Sequence, residues 1–213
     1  MGNNNIQLSQ RAPVNEIVGL LQTHNESELD LLRQRYPGFL EILKPGLPMG
    51  DNENQLDTEK ELEMRATVCE AGLNLVFEKA GNLLPLLKGR LKKLNGVQFI
   101  SQILVLLSGT TILAYFKEDH EKIVSMIVGF FTLSAGILSL YVQRKSGTII
   151  SESGGITKVY NELTDYQLKA EIYLNELKIL REINWSKPNE QVMQIITEAN
   201  LISSEMNRII IKY

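Results

Sequence analysis

Gln98 and Gln102 stand four residues apart in a stretch without a single charge, and Ser101 and Gly109 lie near the same helical face. Side chains at that spacing stack on one side of a helix. Each primary amide offers two donors and a carbonyl acceptor, so the chemistry available is hydrogen bonding to water, to a passing ion or to another helix. Covalent chemistry has little to work with. The chain holds two histidines, His24 and His120, and one cysteine, Cys69, too few for a usual zinc site. Residues 81–89 superficially suggest a phosphate loop, but the glycine spacing is wrong and no Ser or Thr follows the lysine. No serine sits in an elbow with a histidine available as its base. The expectation is a non-enzyme without cofactor or metal.

The amides belong to the first of two apolar runs, residues 97–116 and 123–143, separated by the six residues 117–122. Each run carries eleven Val, Ile, Leu or Phe and no Asp, Glu, Lys or Arg. At about 1.5 Å per helical residue, 20 residues match a hydrocarbon core of about 30 Å. The expected architecture is all-α: a two-helix transmembrane hairpin carrying a cytoplasmic helical bundle or coiled coil. A mean hydropathy of −0.07 and a pI of 5.6 hide this, because the runs occupy about a fifth of the chain. No secretory signal opens the sequence, so the first run is expected to act as its own insertion signal.

Basic residues orient the hairpin. Lys88, Arg90, Lys92 and Lys93 precede it and Arg144 and Lys145 follow it, six in all against Lys117 and Lys122 in the loop. Both termini are therefore expected in the cytoplasm, at a bacterial inner membrane. The same six residues with Lys158 have a second reading, an anionic ligand site beside Ser153-Gly154-Gly155 at a helix start. Their simpler role is contact with anionic lipid headgroups. In the second run Ser125, Gly129, Thr132, Ala135, Gly136 and Ser139 form small-xxx-small steps that let helices approach, within the hairpin or between copies. For Gln98, Ser101, Gln102 and Gly109 the roles stay open: lining of a water path, interhelical hydrogen bonding, or a place near the cytoplasmic interface, where Gln98 costs little.

Four segments are expected. Residues 1–57 are an acidic helical head and linker, with eight Asp or Glu against four Lys or Arg. Residues 58–96 form a helix with seams Leu62-Cys69-Val76-Leu83 and Ala66-Leu73-Ala80-Leu87-Leu94, which Pro85 should kink or interrupt. Residues 97–143 are the hairpin. Residues 144–213 form a helical hairpin whose first arm repeats Ile156, Leu163, Ala170, Leu177 and Val159, Tyr166, Tyr173, Leu180 at heptad positions, a candidate seam between copies.

This order, with the entry LNGVQFISQILVLLSGTTILAYF and the seam ITKVYNELTDYQLKAEIYLNELKIL, resembles the SLATT family of two-transmembrane effector domains in bacterial nucleotide-signalling antiviral systems. The resemblance covers about residues 58–213. It implies a homo-oligomer of four or more copies that forms a pore, opened by a nucleotide or oligonucleotide messenger from a partner nucleotidyltransferase. Duplex nucleic acid is not among the expected partners. The alternative is a non-conducting membrane scaffold whose cytoplasmic helices bind another protein.

Overall fold

A computed structural model describes residues 13–45, 58–115, 121–146, 155–183 and 190–212, without side-chain detail at 58, 109–115, 121–124 and 183. The described residues hold six α-helices and no strand: α1 (Asn15–His24), α2 (Glu26–Arg35), α3 (Thr58–Tyr115), α4 (Glu121–Ser146), α5 (Gly155–Ile183) and α6 (Glu190–Lys212). The all-α expectation stands. His120, the turn at 184–188 and most of the loop at 117–122 lie outside the described residues.

Local sequence explains the helix ends. In α2, Glu26 and Glu28 occupy the first turn and Arg33 and Arg35 the last, matching the helix dipole at both ends. A 3-10 turn at Pro37–Phe39 then ends this segment, with proline at its start, where no amide hydrogen is missed. The longest helix, α3, spans 58 residues and contains Pro85. The expected interruption does not occur. Proline removes a single N–H from the helical ladder, and the remaining hydrogen bonds carry the helix through it. Gly155, at the head of α5, has φ 66°, a left-handed value that glycine adopts without steric cost.

The helices form two compact units, residues 1–81 with 163–213, and residues 82–162. In the first, α3 is buried on nearly every side: Leu62, Met64, Ala66, Val68, Cys69, Leu73, Leu75, Val76 and Ala80 all lie in the core. From α1 come Ile17, Val18, Leu20 and Leu21, and from α6 Val192, Ile195, Ile196, Ala199, Ile202, Met206 and Ile209. The described part of the acidic head, residues 13–45, thus belongs to the same compact unit as the C-terminal helix. Tyr36 hydroxyl lies 3.1 Å from Thr67 Oγ1, and the Cβ that Gly72 lacks would collide with Ile17 Cγ2. Close approach of α1 to α3 therefore depends on glycine at that position. On the other side, α5 meets α3 through Gln167 beside Gly81 and an Arg181–Glu70 ion pair of 3.0 Å.

In the second unit α3 and α4 pack together. Ser101 Oγ donates to the Ala135 carbonyl at 2.8 Å, and both residues are buried. Ser101 stands fourteen residues before the end of α3 and Ala135 fourteen after the start of α4, so the helices run antiparallel. The heptad row of α3 does not stop at the apolar run: Leu87, Leu94, Ser101 and Ser108 are all buried. Where leucine gives way to serine the two backbones can come close. Among the described residues one helical stretch is long and apolar enough to cross a membrane, Ser125–Ser146, with 22 residues and mean hydropathy 1.8. Of the two expected spans, this matches the one at 123–143, whereas the one at 97–116 runs on into residues whose side chains are not described.

Candidate functional site

The candidate site is the α3–α4 pair and the basic residues at its end. Helical geometry separates the four residues first grouped as pore-lining. Ser101 is buried against α4, whereas Gln98 and Gln102 are exposed. Neither glutamine has a hydrogen-bond partner among the described residues. Gly109 is helical within α3. Asn95, one turn before Gln98 and also exposed, extends the amide row to three. Its place at i, i+3 and i+7 is visible in the sequence, and only its position before the apolar run kept it out of the reading.

The small residues of α4 divide in the same way. Ala135 is buried at the contact and Ser139 is half-buried, its hydroxyl accepting from Gln143 Nε2 at 3.2 Å. Ser125, Gly129, Thr132 and Gly136 are exposed, and a Cβ added at Gly129 or Gly136 would meet nothing within 4 Å. Packing within the pair therefore uses Ala135, and the glycines face open space. Thr132 Oγ1 donates to its own helix at Val128 O, 2.9 Å away.

Lys88, Arg90, Lys92, Lys93, Arg144 and Lys145 are all exposed. Successive residues in a helix are turned by about 100°, so the α3 cations point around the helix and form a girdle. Lys158 is drawn along α5 toward Glu162, 3.7 Å away, which weakens it as an anion ligand. Ser153 and Gly154 lie outside the described residues. No group of three or more His, Cys, Asp or Glu that could hold a metal occurs among the described residues.

The α5 seam is taken up within the chain. Val159, Leu163, Ala170 and Leu177 are buried, and Ile156, Tyr166, Tyr173 and Leu180 are half-buried. Burial, with the Glu198 carboxylate of α6 nearby, raises the Tyr173 phenol above its ordinary value. On the opposite side of α5 a second row remains uncovered: Leu168, Ile172 and Ile179, exposed by 55%, 43% and 54%. The heptad reading missed it because the stronger repeat on the other side absorbed the pattern.

Two further polar sites lie in the first unit. Arg65 donates to Glu61 Oε1 from Nε at 3.0 Å and from Nη2 at 2.7 Å, and both side chains are buried. Cys69 is buried, which pushes its thiol well above the ordinary value, with the Glu70 charge adding to the shift. It is a core side chain and not a nucleophile. Comparison of the chain with protein-family models, with curated proteins and with solved structures finds no match.

Proposed function

We propose that this chain is an integral membrane protein whose α3 and α4 cross a bacterial inner membrane as a hairpin with both termini cytoplasmic. Copies of it assemble into an ion-conducting pore, opened by a nucleotide messenger or a partner protein in antiviral defence. The observation that carries the reading is the apolar surface left on the α3–α4 pair. Phe99, Leu106, Met126, Phe130 and Leu133 are 62%, 68%, 79%, 68% and 65% exposed. A water-soluble surface rarely carries so large a contiguous apolar patch, and lipid would cover it. The girdle of six exposed cations at one end of the pair supports a cytoplasmic face there.

Gln98 and Gln102 support assembly around water. An amide without a partner among the described residues is costly in hydrocarbon, and a lumen shared between copies would satisfy both. Membrane insertion is tested by cysteine labelling in a Cys69→Ala background. A cysteine at Asp119 should react with an impermeant thiol reagent in intact cells, and one at the exposed Lys178 should not. Conduction is tested by potassium flux from vesicles containing the purified chain, with and without candidate cyclic nucleotides. Labelling at Lys178 alone, or vesicles that stay sealed with every messenger, would remove the corresponding half of the reading.

A second reading, a non-conducting scaffold, draws support from the uncovered Leu168-Ile172-Ile179 row on α5. A helix of another protein could dock there. Replacement of Ile172 and Ile179 by glutamine would then abolish partner capture and leave vesicle flux untouched.

A further inference from the structure

The amide row of α3 and the small-residue row of α4 fall on the same side of the helix pair. In α3 the contact with α4 is made by Ser101, and Leu94 and Ser108 are buried on the same stripe. At about 100° per residue, the row Asn95-Gln98-Gln102 lies about a quarter-turn from that contact. In α4 the contact is made at Ala135, with Val142 buried on the same stripe, and the row Ser125-Gly129-Thr132-Gly136 again lies about a quarter-turn away in the direction of increasing residue number. Because the helices are antiparallel, equal turns in that direction bring both rows to one face. That face is polar or small, whereas the outward side of α4 presents Met126, Phe130, Leu133 and Ile137.

Such a face suits a lumen better than a dry contact with a second copy. Three primary amides have many hydrogen bonds to make. The α4 row opposite them in a neighbour would offer two glycines without side-chain groups and only the two hydroxyls of Ser125 and Thr132, the latter already donating to Val128 O, too few partners for three amides. Water meets the demand. The amides occupy only the end of the face nearest the basic girdle, however. Beyond Gln102 the next residue of α3 on this side is Val105, 53% exposed, and Leu106 flanks it.

We propose that Val105 is the gate of the pore: side chains from neighbouring copies close the lumen just beyond a wet vestibule lined by Asn95, Gln98 and Gln102. The proposal rests on the pore reading above and assigns its regulation. A ring of apolar side chains bars ions by losing its water, without any need for steric closure. A trigger that widened the ring slightly would wet it. The resting protein would thus be silent, as a cell that carries it requires.

The test uses the full chain in potassium-loaded vesicles without any messenger. Val105→Asn is expected to raise efflux by about tenfold or more over the parent, since a polar ring stays wet. Val105→Ala should raise it as well, by widening the ring, and Val105→Leu should stay at the parent level. Leu133→Asn, on the outward side, should also stay at the parent level. Equal leak from Leu133→Asn would mean that any polar group in the apolar surface permeabilises the vesicle, which overturns the gate. Sealed vesicles with Val105→Asn and Val105→Ala, in protein that resists alkaline carbonate extraction, would overturn the gate and leave the membrane reading standing. Release of the parent protein by carbonate would overturn both.

Discussion

The side-chain oxygen of Asn200 accepts the backbone N–H of Glu16 at 2.9 Å and that of Ile17 at 3.3 Å, across more than 180 positions of sequence. The first turn of a helix has N–H groups without partners, and α1 receives no side-chain cap from its own preceding residue, Val14. A residue of α6 supplies it instead. His24, at the other end of α1, lies 3.1 Å from Asn207 Oδ1 through its Nε2. Polar contacts at both ends thus seat α1 on α6.

Asn200→Ala should destabilise the first unit by about 1–2 kcal/mol, the usual range for loss of a cap, because two N–H groups lose their acceptor. Asn200→Asp should cost less, since a carboxylate still accepts both bonds and favours the positive end of the helix. Denaturation midpoints of the three proteins check the order. Equal midpoints for Asn200→Ala and the parent would count against the cap.

Gly72→Ala should cost about 1–3 kcal/mol, the range for overpacking a core. The added Cβ collides with Ile17, so Ile17→Ala in the same chain should recover most of the loss. A double-mutant cycle measures this, and a coupling below about 0.5 kcal/mol would show that α1 shifts freely away from α3.

The Glu61–Arg65 pair should behave as buried charges do. Its side chains are 6% and 2% exposed. Arg65→Met alone should destabilise by about 3–5 kcal/mol, because a carboxylate is left buried, whereas Glu61→Leu with Arg65→Met should cost much less. Thermal unfolding of the single and double variants decides it. A single variant no worse than the double would show that Glu61 reaches water.

Cys69 should make stability fall at alkaline pH. Its folded pKa is raised, by burial first and by Glu70 second, so the folded state holds its proton where the unfolded thiol has lost it. The contribution is fully present below the unfolded value of about 8.5 and is lost as pH rises beyond it. Comparison of parent and Cys69→Ala between pH 7 and 10 should show the parent losing ground. A thiol reagent at pH 8 should label Cys69 only after denaturation, and rapid labelling of the native protein would contradict the burial.

What the sequence determined by itself is the set of helices and the character of their faces. The heptad row from Ala66 to Leu94, the apolar α6 positions from Val192 to Ile209 and the spacing of Gln98 and Gln102 are local periodicities, and a helix converts such spacing directly into a face. Which face meets which partner is not local. Ser101 lies near the face of the glutamines, yet one residue from Gln102 is about 100° of turn, and that sets it against Ala135 instead. The Leu163-Ala170-Leu177 row, suited to a second copy, is buried within its own chain, and Gly129 and Gly136, suited to packing, face open space. The acidic head gave no sign that Asn200 would cap it or that Gly72 would admit Ile17. Those contacts join residues 55 to 184 positions apart. Only the packing of whole helices brings such pairs together, because no spacing along one helix encodes the surface of another.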